Sequence, residues 1–255
     1  MIEIKERFSS YYRMFDSYDV FQNFLKYAIR DLAPRIFVDA VDHPHCVVLQ
    51  SYPAYFLLGE PEETDASDVF ALFHANSWIV ASSNAWRQPI EDHFKESVVT
   101  HPRVLFRSDA LAIDRVLSQR NSLPAGLSIV PIEPKHLADG MIEDDVVSRF
   151  FTVSDFMTCG FGFALVDGGG ACLGFCLTNY PIVGTEVELY VRVEYDSDAK
   201  HRLHGIGTTL CTHFIEESLK RGYVPVWDAA NDISAHIAKK LGYEVAKDWF
   251  MYHVL

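Results

Sequence analysis

The chain has 255 residues, of which 49% are apolar and 22% charged, and its formal net charge is −13. Those figures describe a globular chain, long enough for one large domain or two modest ones, and exclude a disordered polymer. The acidity excludes nucleic acid as a partner, since a phosphate backbone needs basic surface, and serves either solubility or the steering of a cationic substrate.

The N-terminus, Met1-Ile2-Glu3-Ile4-Lys5-Glu6-Arg7, is charged and lacks the apolar core of a signal peptide. No later apolar run is long enough to span a bilayer. A cytoplasmic protein without membrane contact is expected. Val20 to Asp31 carries Phe21, Phe24, Leu25 and Ala28 at helical spacing, with Pro34 beyond its end. Cys46-Val47-Val48-Leu49 and Tyr55-Phe56-Leu57-Leu58 read as short strands. The acidic stretch Pro61 to Asp68 reads as a loop leading into a helix near Val69 to Phe73. Trp78 to Ala81 reads as a strand, Ile90 to Ser97 as a helix and Val104 to Phe106 as a strand. This half carries no catalytic signature, and Trp78 and Trp86 are expected to pack the scaffold.

Asn121-Ser122-Leu123-Pro124-Ala125-Gly126 is polar and contains Pro and Gly. It marks the expected boundary between a domain over 1–124 and one over 125–255. In the second, Leu127 to Ile132 alternates as a strand and Asp144 to Phe156 reads as a helix. Gly162 to Val166 and Ala171 to Thr178 read as strands joined by the turn Asp167-Gly168-Gly169-Gly170. Val187 to Val193 is the next strand, followed by helix, strand, helix and strand. The order is β-α-β-β-β-α-β-α-β. No internal repeat is visible in the sequence.

The five cysteines are Cys46, Cys159, Cys172, Cys176 and Cys211. Their odd number argues against a disulfide framework. Alternation along a strand puts Cys172 and Cys176 on one face, but no His-Cys cluster completes a tetrahedral site, so no metal is expected.

Gly205-Ile206-Gly207 opens an amphipathic helix whose face is marked by Ile206, Leu210, Phe214, Ile215 and Leu219. Lys220 and Arg221 fall in its last turn and Gly222 suits the C-terminal cap. A helix start offers unpaired N–H groups, and glycines there let an anion approach the backbone. Lys200-His201-Arg202-Leu203-His204 gathers cationic or protonatable groups ahead of it within an acidic chain. The P-loop pattern is absent, and Leu210 stands where a dinucleotide fingerprint needs its third glycine.

Arg202-Leu203-His204-Gly205-Ile206-Gly207 resembles the Gln/Arg-x-x-Gly-x-Gly/Ala motif of GNAT acetyltransferases. Downstream, Asn231-Asp232-Ile233-Ser234 opens a helix ending Lys239-Lys240-Leu241-Gly242-Tyr243, which resembles that family's second signature. Val224 to Asn231, with its Trp227-Asp228 pair, is similar to a subgroup that includes the zwittermicin-A resistance acetyltransferase. The fold the resemblance implies is α/β (α+β): a GNAT-like mixed central sheet flanked by helices over 125–255, beside an N-terminal mixed α/β domain available for substrate recognition. It implies acetyl-CoA as cosubstrate. Its pyrophosphate would lie on Arg202, His204, Gly205, Ile206, Gly207 and Thr208, its pantetheine arm on the backbone near Val191 and Val193, and further contacts would come from Asn231 and Ser234.

An alkyl ammonium has a pKa of roughly 10.4, so near pH 7 only about one molecule in a few thousand is neutral. Amine acetylation therefore needs a base and donors for the oxyanion. Glu188, on one strand face with Tyr190 and Arg192, is the candidate base. Many relatives place an acid tyrosine in the second helix where this chain has Ala238. Tyr243 and Tyr252 are the nearest substitutes, although the coenzyme A thiolate can leave unaided. The expected activity is transfer of acetyl to a primary amine of a small molecule, an antibiotic or metabolite. The alternatives are a non-catalytic acetyl-CoA-binding sensor or interaction module, and a protein or peptide N-acyltransferase. The acceptor and the oligomeric state are not legible here.

Overall fold

The structure is a computed structural model that describes residues 1–5, 8–32, 34–51, 53–137, 141–150, 152–193 and 205–255. In chain order the first elements are β1 (Ile2–Ile4), α1 (Phe8–Tyr12), α2 (Gln22–Tyr27, continued by a π turn Ala28–Leu32), β2 (Arg35–Val38), β3 (Val47–Ser51) and β4 (Ala54–Leu58). There follow α3 (Ala66–Phe70), β5 (Ser77–Ala81), α4 (Arg87–Phe94), β6 (Val98–Arg107) and α5 (Ile113–Ser118). Next come β7 (Ser128–Pro131), α6 (Pro134–Leu137), α7 (Met141–Phe150), α8 (Val153–Cys159), β8 (Gly162–Val166), β9 (Cys172–Thr178) and β10 (Glu186–Val193). The chain closes with α9 (Ile206–Lys220), β11 (Val224–Ala229), α10 (Asp232–Leu241) and β12 (Glu244–Val254).

Two compact units result: Met1–Leu105 with Lys247–Leu255, and Phe106–Ala246. The division differs from the loop at 121–126. Residues 106–124 join the second unit because α5 packs on α9 and the chain after it is bonded there. Arg120 donates to Glu216 at 2.7 Å, and Asn121 N–H to Thr209 Oγ1 at 3.1 Å. The last strand joins the first unit because β12 pairs antiparallel with β5, from Met251↔Val80 to Val254↔Ser77.

Within the first unit the strand order is β1-β2-β3-β4-β5-β12-β6. Its apolar runs bury side chains on both faces, as two-sided sheets require. Val47, Leu49 and Phe56 join Phe15, Tyr18 and Leu25 on one side. Val48, Tyr55 and Leu57 join Trp86 and Ile90 on the other. Trp86 is part of this scaffold, its indole N–H donated to the Gly59 carbonyl at 2.8 Å. Trp78 stacks on His253 with ring centroids 4.4 Å apart.

The second unit orders its strands β11-β10-β9-β8-β7. Helices α6 to α8 cover one face through Leu137, Ile142, Val146, Phe150 and Phe156. The expected single helix over 144–156 is two. The first ends at Phe150, and Thr152 caps the second, its Oγ1 accepting from Asp155 N at 3.0 Å. The Asp167 turn forms as expected: Asp167 Oδ1 accepts from Gly169 and Ala171 N–H, and Gly170 takes φ +88°. A bulge between Leu165 and Val166 breaks the alternation beside it. Cys172 therefore shares a face with Phe175 and Leu177, while Cys176 lies on the other with Cys211. The expectation that Cys172 and Cys176 point the same way is overturned. Among the described residues no three His, Cys, Asp or Glu side chains gather as a metal site, and no helix is long and apolar enough to cross a membrane.

The two halves of the sequence repeat one element order. Each runs strand, helices, three antiparallel strands, helix, a parallel strand, helix and a last strand. In the first these are β1 to β6; in the second, β7 to β12. Sequence comparison within the chain misses this, because the repeated property is a pattern of pairing and not of residues.

Candidate functional site

Glu188 sits mid-strand in β10 and is 5% exposed. It pairs in parallel with Val226, so Asp228, two residues on, shares its face. Asn179 N–H is donated to the Glu188 carbonyl at 2.7 Å. That bond sets the direction of every backbone group on β10: those of Glu188, Tyr190 and Arg192 point to β9, those of Leu189, Val191 and Val193 to the other edge. On that other edge the β11 ladder covers only Glu186↔Val224 to Glu188↔Val226, although β10 continues to Val193. The N–H and C=O groups of Val191 and Val193 thus face an edge that no described strand covers.

Helix α9 starts at Gly205, whose φ of +82° lies in the left-handed region, and no side chain caps it. Its first bonded N–H is that of Thr209, on the Gly205 carbonyl at 2.9 Å. The N–H groups of Ile206, Gly207 and Thr208 have no acceptor inside the helix. The Ile206 side chain is core, leaving only its backbone for a ligand. A Cβ built on Gly207 would lie 4.0 Å from Val193 and 3.7 Å from Ile237. The helix start, the free edge of β10 and α10 therefore converge. Gly205 is required for a different reason: a Cβ there would come 2.3 Å from Asn121 Nδ2. The helix also ends as expected, with Gly222 at φ +79° and Tyr223 N–H on the Ser218 carbonyl at 2.9 Å. Its apolar face is buried at Ile206, Leu210, Phe214 and Ile215, but Leu219 is 37% exposed.

Asn231 caps α10, its Oδ1 accepting from Ser234 N at 2.9 Å. Ser234 Oγ accepts the Trp227 indole N–H at 3.0 Å. Both candidates thus have structural partners at the α10 start. Arg202 and His204 lie outside the described residues, as does the segment 194–204. Ala238 is fully buried. Tyr243 donates to the Pro225 carbonyl at 3.1 Å, and burial pushes its phenol well above the usual range. Tyr252 belongs to the core of the first unit. Neither tyrosine reads as a proton donor. Asn179 and Asn121, both unmarked by motif, are the residues sequence reasoning missed.

The first unit lacks the equivalent openings. Its parallel pair β4–β5 stays in register to Leu57↔Ala81, and Ser82 N–H continues it to the Leu57 carbonyl at 2.8 Å. Helix α3, which follows β4, is capped by Asp65, whose Oδ1 accepts from Ser67 N at 2.9 Å. Glu60, Glu62 and Glu63 precede that cap, a charge that repels phosphate.

A family model described as GNAT acetyltransferase matches residues 14–252. Among solved structures, a GCN5-related N-acetyltransferase-like protein from Streptococcus suis is similar over 96% of this chain and 98% of its own, at 20% identity and a TM-score of 0.74. An acetyltransferase of the GNAT family from Colwellia psychrerythraea covers 98% and 97%, at 11% identity and a TM-score of 0.54. A tandem GNAT protein from the clavulanic acid biosynthesis pathway covers 86% and 82%, at 14% identity and a TM-score of 0.52. At these identities the likeness is one of fold. No curated protein matches the chain.

Proposed function

The chain belongs to the GNAT acetyltransferase family, and on that premise we propose that it moves the acetyl group of acetyl-CoA to a primary amine of a small molecule by direct attack on the thioester. The observation that carries this is the meeting of the uncovered β10 edge with the uncapped start of α9, where a Gly207 Cβ would lie 4.0 Å from Val193. Backbone donors of both kinds converge there, and a glycine keeps the approach clear. The residues fit an acyl-CoA: N–H groups of Ile206, Gly207 and Thr208 suit a pyrophosphate, and those of Val191 and Val193 suit pantetheine amides. When bound, the cosubstrate supplies an activated acyl thioester.

In this reading Glu188 accepts a proton from the acceptor's ammonium, directly or through water, so that the neutral amine attacks the thioester carbonyl and the coenzyme A thiolate leaves. A β10 N–H polarises the thioester carbonyl as charge develops on its oxygen. The first unit serves acceptor recognition. Arg202 adds positive charge ahead of the helix, and His204 a further ring N–H donor for the cofactor.

A second reading is favoured by Ala238, buried where many relatives carry an acid tyrosine, and by the commitment of Tyr243 to Pro225. It is a non-catalytic acetyl-CoA-binding module.

Calorimetry with acetyl-CoA and its dephospho and desulfo analogues tests the binding step, followed by a panel of primary amines. Micromolar affinity and turnover that collapses in Glu188→Gln are expected. Binding without turnover across the panel selects the second reading; no binding at millimolar acetyl-CoA sinks both.

A further inference from the structure

The register of β9 on β10, with Leu189 opposite Thr178, makes Asn179 the residue opposite Glu188. Cross-strand partners share a face, so the two side chains meet. Asn179 Nδ2 donates to Glu188 Oε1 at 2.7 Å, in addition to the backbone bond of 2.7 Å between the same residues. Both residues are buried, at 9% and 5% exposure. One residue therefore anchors Glu188 by main chain and side chain together.

We infer that Asn179 is the positioning residue of Glu188, its amide fixing the carboxylate in orientation for proton transfer. The inference rests on the reading of Glu188 as the base. A buried carboxylate loses hydration, and a donor replaces part of it. The kind of donor decides the chemistry. An Arg or Lys at this bond would depress the carboxyl by up to a few pKa units and leave a poor base. The Asn179 amide carries no charge, so through this bond it fixes geometry more than it stabilises the anion.

Among the described residues, the other titratable groups on this side include Glu186, Tyr190 and Arg192 on β10, Asp228 on β11, Glu143 and Asp144 at the start of α7, and His136 and Asp155 on α6 and α8. Asp155 is exposed and His136 accepts the Glu133 N–H through Nδ1 at 2.9 Å. Glu186, two residues back on the same strand, and Asp228, from its register, place like charge on that face. A donor on Glu188 offsets that repulsion.

The test is a carboxyl titration by NMR on protein labelled with 13C-glutamate and 15N-asparagine, with Glu188→Gln identifying the Glu188 signal. In the unaltered protein the Asn179 side-chain amide resonances should follow the Glu188 titration. In Asn179→Ala the Glu188 midpoint should rise by about one unit. In Asn179→Asp, where a like charge replaces a donor, it should rise further. An Asn179 amide indifferent to pH, or a midpoint unmoved in either variant, overturns the inference. If Glu188→Gln keeps its acetyl-transfer rate, the base reading fails and the inference falls with it. If that rate is lost while the midpoint stays fixed, Asn179 alone is dropped.

Discussion

Trp227 donates its indole N–H to Ser234 Oγ at 3.0 Å, binding strand β11 to the first turn of α10. Trp227 is buried to 1% exposure, so its donor has no water to fall back on. Ser234→Ala should cost about 1–2 kcal/mol, the penalty for a buried donor left unmet. Urea unfolding measures it. Acetyl-CoA affinity in the same variant should weaken by roughly threefold, the loss of one neutral hydrogen bond. Unchanged affinity removes Ser234 from the cofactor set and leaves it a purely structural residue.

The two glycines of the α9 start should behave oppositely. Gly205→Ala meets a φ of +82° and Asn121 Nδ2 at 2.3 Å, and should lose about 1–2 kcal/mol. Asn121→Ala in the same chain should recover the part owed to the clash, leaving the part owed to φ. At Gly207 a Cβ would make only ordinary contacts, 3.7 Å from Ile237 and 4.0 Å from Val193, and the residue lies within the helix. Gly207→Asp should not reduce stability, since an acid suits a helix N-terminus. The same charge should repel a pyrophosphate and weaken acetyl-CoA by tenfold or more. A full-affinity Gly207→Asp would put the phosphate elsewhere.

Hydrogen bonds from Lys220 and then Arg120 hold the Glu216 carboxyl down at about 2, from an ordinary 4.5. A depressed carboxyl adds stability above its unfolded value, and that share is lost as pH falls toward the folded value. The window is therefore between about 4.5 and 2. Glu216→Gln should lower stability near neutrality by about 1 kcal/mol, since the group is part-exposed, and flatten melting temperature against pH inside that window. A variant with the slope of the parent there would release Glu216 from this role.

The repeat makes two cofactor sites conceivable, but the zipped β4–β5 pair and the Asp65 cap close the first unit. Calorimetry should give one acetyl-CoA per chain. A second saturable site that survives Gly207→Asp would locate binding in the first unit and overturn this.

The second half of the chain was legible because its signals are local. The Asp167 turn, the glycine caps of α9 and the Asn231 cap each rest on a few neighbouring residues. What the sequence hid depends on distant partners. A bulge between Leu165 and Val166 turned Cys172 away from Cys176, and periodicity has no term for an inserted residue. The loop at 121–126 reads as a linker, yet Asn121 is fastened to α9 by bonds to residues more than eighty positions away. Thr152 and Asp155 did carry a capping signal, outweighed by the apolar run around them. Glu188 was singled out as a charge inside a strand. The residue that holds it, Asn179, could be found only from strand register.

Residues 247–255 complete the sheet of the first unit, between β5 and β6. During synthesis residues 1–105 emerge well before residues 247–255, the strand that completes their unit. Until residues 247–255 leave the ribosome, the place between β5 and β6 lacks its strand and leaves backbone unpaired, a template for stray strands. The halves therefore cannot mature one after the other. Each nascent chain carries an open seam that β12 must close, and loss of that strand would strike a sheet built more than 140 residues earlier.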